Sequence, residues 1–282
     1  MTGGSDNMSA CPYAVRDIRF GTRLGSDPKL EDMMWASLTD LYCKTPMGVT
    51  AENLAEKYSL TREEVDEFAI RSQQTWGVAN EKGVFADEIA PVEIKTRKGV
   101  VEMKADEHPK PQSTVASISK LPTVFKKGGV VTAASASGIC DGAASVIVAS
   151  EAAVKQHGLT PLARIVGYGL AGCEPTIMGI GPVPAIRGLL DKSGVALDAI
   201  DQVEINEAFG AQTLACAKEL GIPMEKLNTC GGAIALGHPL AASGSRISAH
   251  LVHKLRQNGD KYGLGSACIG GGQGIAILFE KV

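Results

Sequence analysis

Several absences narrow this sequence before any motif is read. Its seven cysteines (Cys11, Cys43, Cys140, Cys173, Cys216, Cys230 and Cys268) form no C-x-x-C pair and an odd, irregularly spaced set. Neither a zinc site nor a disulfide framework is therefore indicated, and a reducing compartment is expected. Aromatic residues make up only 5%. No apolar run is long enough to cross a bilayer. The formal net charge is −3, so no basic footprint for nucleic acid is present. The opening MTGGSDNMSACPY has neither the apolar core of a signal peptide nor the Arg-rich face of a transit peptide, and the closing FEKV is not a peroxisomal address.

What remains is a 282-residue chain of ordinary composition, 44% hydrophobic and 21% charged, enough for about two domains. Gly3, Gly4, Pro12, Gly21, Gly25 and Pro28 punctuate an irregular start. Leu30, Met33, Met34, Leu38 and Leu41 recur at helical spacing and predict a helix over 29–41. A second helix is expected to open at Thr50, and a third at Thr61, where Thr61-x-x-Glu64 forms a capping box, running to about Asn80. Short strands at 92–94 and 100–103 alternate with Pro- and Lys-rich loops, which reads as an elaborated insertion.

From Val130 the pattern becomes regular α/β, with strands expected at 144–149, 163–168, 202–206, 261–269 and 274–280. Helices are expected at 151–157, 184–193, 207–220 and from Ser243 or Gly244 to about Gln257. This order implies a mixed sheet flanked by helices, and the last two strands must form a hairpin because Gly270-Gly271-Gly272 is too short for a crossover.

Three loops of this half carry the polar residues suited to chemistry. In Asn206-Glu207-Ala208-Phe209, Asn206 reads either as a helix cap or as an amide placed beside a developing oxyanion. In Gly231-Gly232-Ala233-Ile234-Ala235-Leu236-Gly237-His238-Pro239, the proline restricts His238 to extended geometry, and a histidine displayed in this way can take a thiol proton near neutral pH. In Ser266-Ala267-Cys268-Ile269-Gly270-Gly271-Gly272-Gln273-Gly274, Cys268 reads either as an inert strand cysteine or as a thiol that exchanges protons beside backbone N–H groups of a glycine turn. Spacing alone fits acyl transfer and equally a cysteine hydrolase. His250-x-x-His253 lacks a third metal ligand, and Lys126-Lys127 reads as a solvated loop.

The strings NEAF, GGAIALGHP and CIGGGQG, in this order, resemble the signatures of the thiolase family. GGSDNMSACPY resembles the segment after the family's nucleophile loop, and the stretch from Ser113 to Gly142, with TAASASGICDGA, resembles the coenzyme A-binding region. The resemblance runs from Thr2 to Val282 and implies an α/β fold, the αβαβα layered sandwich, with the N-terminal half largely missing. By it, residues 1–139 are mostly loop domain, residues 140–160 return to the first half, and residues 161–282 form the second half.

The implied activity is thiolytic cleavage of 3-ketoacyl-CoA to acetyl-CoA and a shortened acyl-CoA, as in fatty-acid β-oxidation, or the reverse Claisen condensation. The alternative is a non-catalytic acyl-CoA-binding or subunit-interaction fragment. The resemblance makes His238 the base that activates the nucleophile, Cys268 the proton shuttle, Asn206 the holder of an oxyanion-hole water and the Gly270 N–H half of a second hole. Ser137, Lys110 and Ser113 become coenzyme-binding positions, with Lys110 standing where arginine is usual. Coenzyme A is then a co-substrate with no permanently bound cofactor or metal, the assembly a dimer or tetramer, and the compartment the mitochondrion. No residue matches the nucleophile motif, which is expected upstream of position 1, so the chain alone is expected to be inactive. An uncovered sheet face and marginal solubility are expected with it. Ala134-Ser135, Cys230 and Ala241 are small departures from the family pattern.

Overall fold

The computed structural model describes residues 1–282. Its first strand, β1 (Thr2–Asp6), is followed by the hairpin stem β2 (Tyr13–Val15) and β3 (Leu30–Asp32), and then by α1 (Met33–Ser37). The expected helix over 29–41 is thus reduced to α1. Pairing of Val15 with Leu30 and of Tyr13 with Asp32 claims its first turn for a strand. The Asp32 carboxylate then caps α1 by accepting from the N–H groups of Met34 and Trp35.

α2 (Met47–Tyr58) opens three residues before Thr50, because Pro46 is fixed extended and its carbonyl accepts from Val49 and Thr50. α3 (Arg62–Glu81) starts as the sequence indicates. Thr61 Oγ1 accepts from the Glu64 N–H at 3.2 Å, and Glu64 Oε2 accepts from the Thr61 N–H at 2.7 Å. The hairpin β4 (Val92–Thr96) and β5 (Gly99–Met103) is exposed along nearly its whole length, and the one-turn α4 (Val115–Ile118) follows. β6 (Gly142–Val146) pairs antiparallel with β1, and α5 (Glu151–His157) has the predicted bounds.

The C-terminal half contains β7 (Ala163–Gly172), α6 (Pro182–Ser193), β8 (Gln202–Ile205), α7 (Gly210–Leu220), α8 (Ala233–Leu236), α9 (Leu240–Asn258), β9 (Tyr262–Ile269) and β10 (Gln273–Lys281). The sheet order is β7-β10-β9-β8, with the first two pairs antiparallel and β8–β9 parallel. The expected terminal hairpin is therefore present.

α6 packs on one face of this sheet and α9 on the other. A Cβ on Gly169 would lie 2.3 Å from the Ala185 carbonyl, so glycine lets α6 approach β7. A Cβ on Gly265 would lie 2.9 Å from Ile247 of α9. α6 contributes Val183, Ala185, Ile186 and Leu189 to the main core, which also holds Ile205, Leu264, Ala276 and Leu278. Each of the larger side chains among these (Val, Ile, Leu) stabilises by about 1.5–3 kcal/mol when fully buried.

α9 does not extend over β7. Tyr168, Leu170 and Ile275 alternate with residues facing α6, and they lie 66%, 65% and 40% exposed. This is the uncovered apolar sheet face that the sequence leads one to expect.

Two further boundaries differ. α7 begins at Gly210, not Glu207, and α9 begins at Leu240, directly after Pro239. Asn206 is consequently not a helix cap; Phe209 occupies the cap position of α7. The glycine-rich loop holds one helical turn, α8.

Candidate active site

Asn206 sits at the carboxyl end of β8, and its N–H donates to the Ser266 carbonyl of β9 at 2.9 Å. Its side chain is buried, with Nδ2 3.2 Å from His238 Nε2 and Oδ1 without a partner in the chain. The other ring nitrogen, Nδ1, lies 2.6 Å from Ser243 Oγ, and that hydroxyl donates to the Pro239 carbonyl at 2.9 Å. A hydroxyl that spends its hydrogen on a carbonyl can only accept from the ring, so Nδ1 carries the proton. Nε2 is then the lone-pair atom, and Asn206 Nδ2 donates to it. Burial and the nearby Arg246 charge push His238 down to about 4, which keeps the imidazole neutral at physiological pH. The ring is aimed by backbone as well, since the His238 N–H donates to the Gly138 carbonyl at 3.0 Å.

Glu207, which sequence reasoning passed over, fixes this corner. Its carboxylate accepts from Ser72 Oγ at 2.6 Å, Asn228 Nδ2 at 2.8 Å and the Ile234 N–H at 3.1 Å. Three elements thus converge on one fully buried side chain: α3, the 228 turn and α8. A Cβ on Gly232 would lie 2.3 Å from the Glu207 carboxyl carbon, so only glycine fits there. Burial pushes the Glu207 pKa up against the three donors. The signal in the sequence was a charged residue within a buried strand-to-helix corner.

Cys268 stands one residue before the end of β9, two residues past the carbonyl that binds Asn206, and its thiol makes no hydrogen bond. Burial pushes it up to about 12, so the resting thiol is protonated. In the following turn Gly271 and Gly272 have φ of +84° and +80°, and a Cβ on Gly272 would lie 2.3 Å from the Cys173 carbonyl. No partner within the chain is found for the Gly270 N–H. Asp40 lies beside the turn: its carboxylate accepts from the Cys43 and Tyr42 N–H groups, and these together with the Gly271 N–H hold its pKa below the usual carboxylate range.

Ser137 is knitted to the Asn206 corner, because its Oγ and N–H both donate to the Ala208 carbonyl at 3.1 Å. Ser135, at one of the departures from the family pattern, uses Oγ to accept from the Thr132 N–H at 2.9 Å. Lys110 and Ser113 lie apart from this cluster, on a loop over α3. The Lys110 N–H donates to Gln73 Oε1 and the Ser113 N–H to the Lys110 carbonyl, leaving the lysine side chain exposed. His108, also missed from the sequence, joins that loop to α8 through a 2.7 Å contact of Nδ1 with the Ala235 carbonyl.

His250 is taken up in a buried ionic cluster. Its Nδ1 lies 2.8 Å from Glu88 and its Nε2 4.0 Å from Glu204, which also faces Arg246 at 3.6 Å. Burial opposes the charge, but Cys230, Glu88 and Glu204 outweigh it and push His250 up to about 10. A raised pKa stabilises the fold fully below the unfolded value of about 6.5, and this contribution is lost as pH climbs through about 10. The chain is therefore expected to lose more melting temperature between pH 7 and pH 10 than its His250→Gln variant, by differential scanning calorimetry. Parallel losses in the two proteins would show that the imidazole is not charged in the fold.

Two family models match the sequence: thiolase, N-terminal domain, over residues 1–152, and thiolase, C-terminal domain, over residues 159–281. The chain belongs to the thiolase family. It is 61% identical over 281 residues to the mitochondrial 3-ketoacyl-CoA thiolase of Bos taurus, covering 100% of this chain and 71% of that one. The crystal structure of the human mitochondrial 3-ketoacyl-CoA thiolase superposes with a TM-score of 0.98 at 59% identity, over 99% of this chain and 71% of that one. A second human structure, in complex with CoA, gives 0.96 at 58% identity, over 99% of this chain and 70% of that one. The thiolase fold is thereby established, as is membership of an acyltransferase family, and the chain spans about 71% of its relatives' length.

Proposed function

We propose that this chain carries the acid–base and oxyanion-binding part of a thiolase site that cleaves 3-ketoacyl-CoA or runs the reverse condensation. The supporting observation is the direct Asn206–His238 contact, with the imidazole proton committed to Ser243 so that Nε2 is left as acceptor.

In this reading a nucleophilic thiol gives its proton to His238 Nε2 and attacks the keto carbon of the substrate. The protonated ring then donates from Nε2 to an oxyanion, and a water donating to Asn206 Oδ1 turns its other hydrogen to the same oxygen. Cleavage of the carbon–carbon bond leaves the acetyl thioester as a carbanion equivalent, which takes the Cys268 proton. The Cys268 thiolate next deprotonates incoming coenzyme A, whose sulfur takes the acyl group. The Gly270 N–H stabilises the oxyanion of that second addition. Ser137 lies along the pantetheine chain, with Lys110 and Ser113 toward the nucleotide end.

The same reading divides the chain into a loop domain at 1–139, a return segment at 140–160 and a C-terminal half at 161–282. The compartment is the mitochondrion, coenzyme A is a co-substrate without a permanently bound cofactor, and the assembly is a dimer or tetramer.

One half-reaction isolates Cys268 from the nucleophile. In D2O the chain is expected to incorporate deuterium at C2 of acetyl-CoA, read by mass spectrometry. Cys268→Ala is expected to slow this by about 100-fold, the scale of a positioned acid–base group. Exchange at an unchanged rate in that variant would remove Cys268 from its assigned role.

A further inference from the structure

A strap of chain from Gly129 to Gly138 runs from α2 to the Asn206 corner and the histidine loop. At its far end the Gly138 carbonyl accepts from the His238 N–H at 3.0 Å, and Ser137 donates twice to the Ala208 carbonyl at 3.1 Å. In its middle the Ser135 carbonyl accepts from the Gly210 N–H at 2.8 Å, which ties the turn at 132–136 to the start of α7. At its near end stands Glu52 of α2, 2% exposed. Its Oε2 accepts from the Val130 N–H at 2.9 Å and its Oε1 from the Val131 N–H at 2.9 Å. These two amides are its only hydrogen-bond partners, and the nearby Lys126 pairs with Glu56 instead. A Cβ on Gly129 would lie 2.5 Å from the Glu52 carboxyl carbon, so glycine lets the strap come this close.

A buried carboxylate with no cation beside it is a costly choice for a fold. What it gains is geometric: two oxygens on one rigid plane fix two successive peptide N–H groups, and with them the direction in which the strap leaves α2. We propose that Glu52 is a positioning residue for coenzyme binding, which sets the path of the strap and thereby presents Ser137 to the pantetheine arm. The inference rests on the reading of Ser137 as a coenzyme-binding position. Val131, Thr132 and Ser135 are each 1% exposed or less, so the strap between Glu52 and Ser137 is closely packed, and a shift at one end is carried to the other.

Glu52→Gln keeps the shape and turns one of the two acceptors into a donor. Deuterium incorporation at C2 of acetyl-CoA, followed on the 282-residue chain over a range of concentrations, separates binding from turnover. For Glu52→Gln the half-saturating concentration is expected to rise about tenfold, the scale of one lost hydrogen bond. The rate at saturation is expected to stay within about twofold of the parent, with little change in the urea midpoint, because the neutral side chain relieves the burial of a charge. Ser137→Ala is expected to raise half-saturation about as much, and the double variant no further than either alone, since Glu52 acts through Ser137. Calorimetry with CoA is expected to give the same ratios. Losses that add fully in the double variant, or a fall in the saturated rate that follows the urea midpoint, overturn the inference and leave Glu52 a residue of the fold. Parent-like binding by Glu52→Gln beside weakened binding by Ser137→Ala overturns it while leaving the coenzyme site in place. Parent-like binding by Ser137→Ala, or no binding of CoA by the parent, overturns the reading of Ser137 and the inference together.

Discussion

Mixed with acetoacetyl-CoA and CoA, the 282-residue chain is expected to release no burst of acetyl-CoA and to gain no acetyl group by intact-protein mass spectrometry. A thiolase needs a thiolate within reach of His238, and no cysteine of the chain stands in a string that resembles the family's nucleophile motif. Cys140 packs against the histidine loop; its Sγ lies 2.5 Å from the Cβ position of Gly237. Burial pushes it up to about 11, leaving about one thiolate in ten thousand at neutral pH. Burial also raises Cys173 and Cys216; at Cys230 burial is outweighed by His250, which holds that thiol below its usual range but engages it in a separate buried pair. Cys268, pushed up to about 12 by burial, is the proposed proton shuttle. Stoichiometric acetylation, mapped to any one of these thiols, would give this chain a nucleophile that the family motif does not include and would make it a competent enzyme as it stands.

Glu207→Ala is expected to be among the most damaging single changes in the fold. It leaves Ser72 Oγ, Asn228 Nδ2 and the Ile234 N–H buried without their common acceptor. Buried donors stripped of a partner cost about 1–3 kcal/mol each, and partial relaxation brings the expected loss to about 3–5 kcal/mol. The measurement is the urea midpoint. Glu207→Gln, which keeps one acceptor oxygen and the shape, is expected to lose less than half of that. If both variants melt like the parent, the carboxylate does not hold the glycine-rich loop. The loss would come with displacement of His238, because the glycine-rich loop reaches the carboxylate through Ile234 and Gly232.

The contrast between Asn206 and Glu207 shows what a linear reading can and cannot see. Asn206, His238 and Cys268 stand out in the sequence because each lies in a short string, and the order of the three strings resembles the family's. Glu207 shares the first of these strings, yet its role depends on Ser72 and Asn228, which lie far off along the chain, and no local pattern points to them. The same holds for the fold. α5 was readable to the residue because Ser150 caps it and Gly158 ends it in a left-handed conformation, both local effects. α1 was overestimated because the register of β2 with β3 decides where its first turn lies, and that register is a tertiary fact. The start of α7 moved to Gly210 for the reason that governs the site: residues 206–208 are held out of the helix by bonds from the Asn206 N–H to Ser266, from Asn228 to the Glu207 carboxylate and from Ser137 to the Ala208 carbonyl.

The bond from Ser72 to Glu207, with the Gly232 N–H returning to the same hydroxyl at 3.1 Å, has a consequence for how the protein opens. α3 and the glycine-rich loop after Asn228 share one buried hydroxyl, so neither can fluctuate outward without unpairing the other. Amide hydrogens of residues 62–81 and of 229–238 should then exchange with solvent at a common free energy, as one cooperative unit that straddles two stretches of chain far apart in order of synthesis.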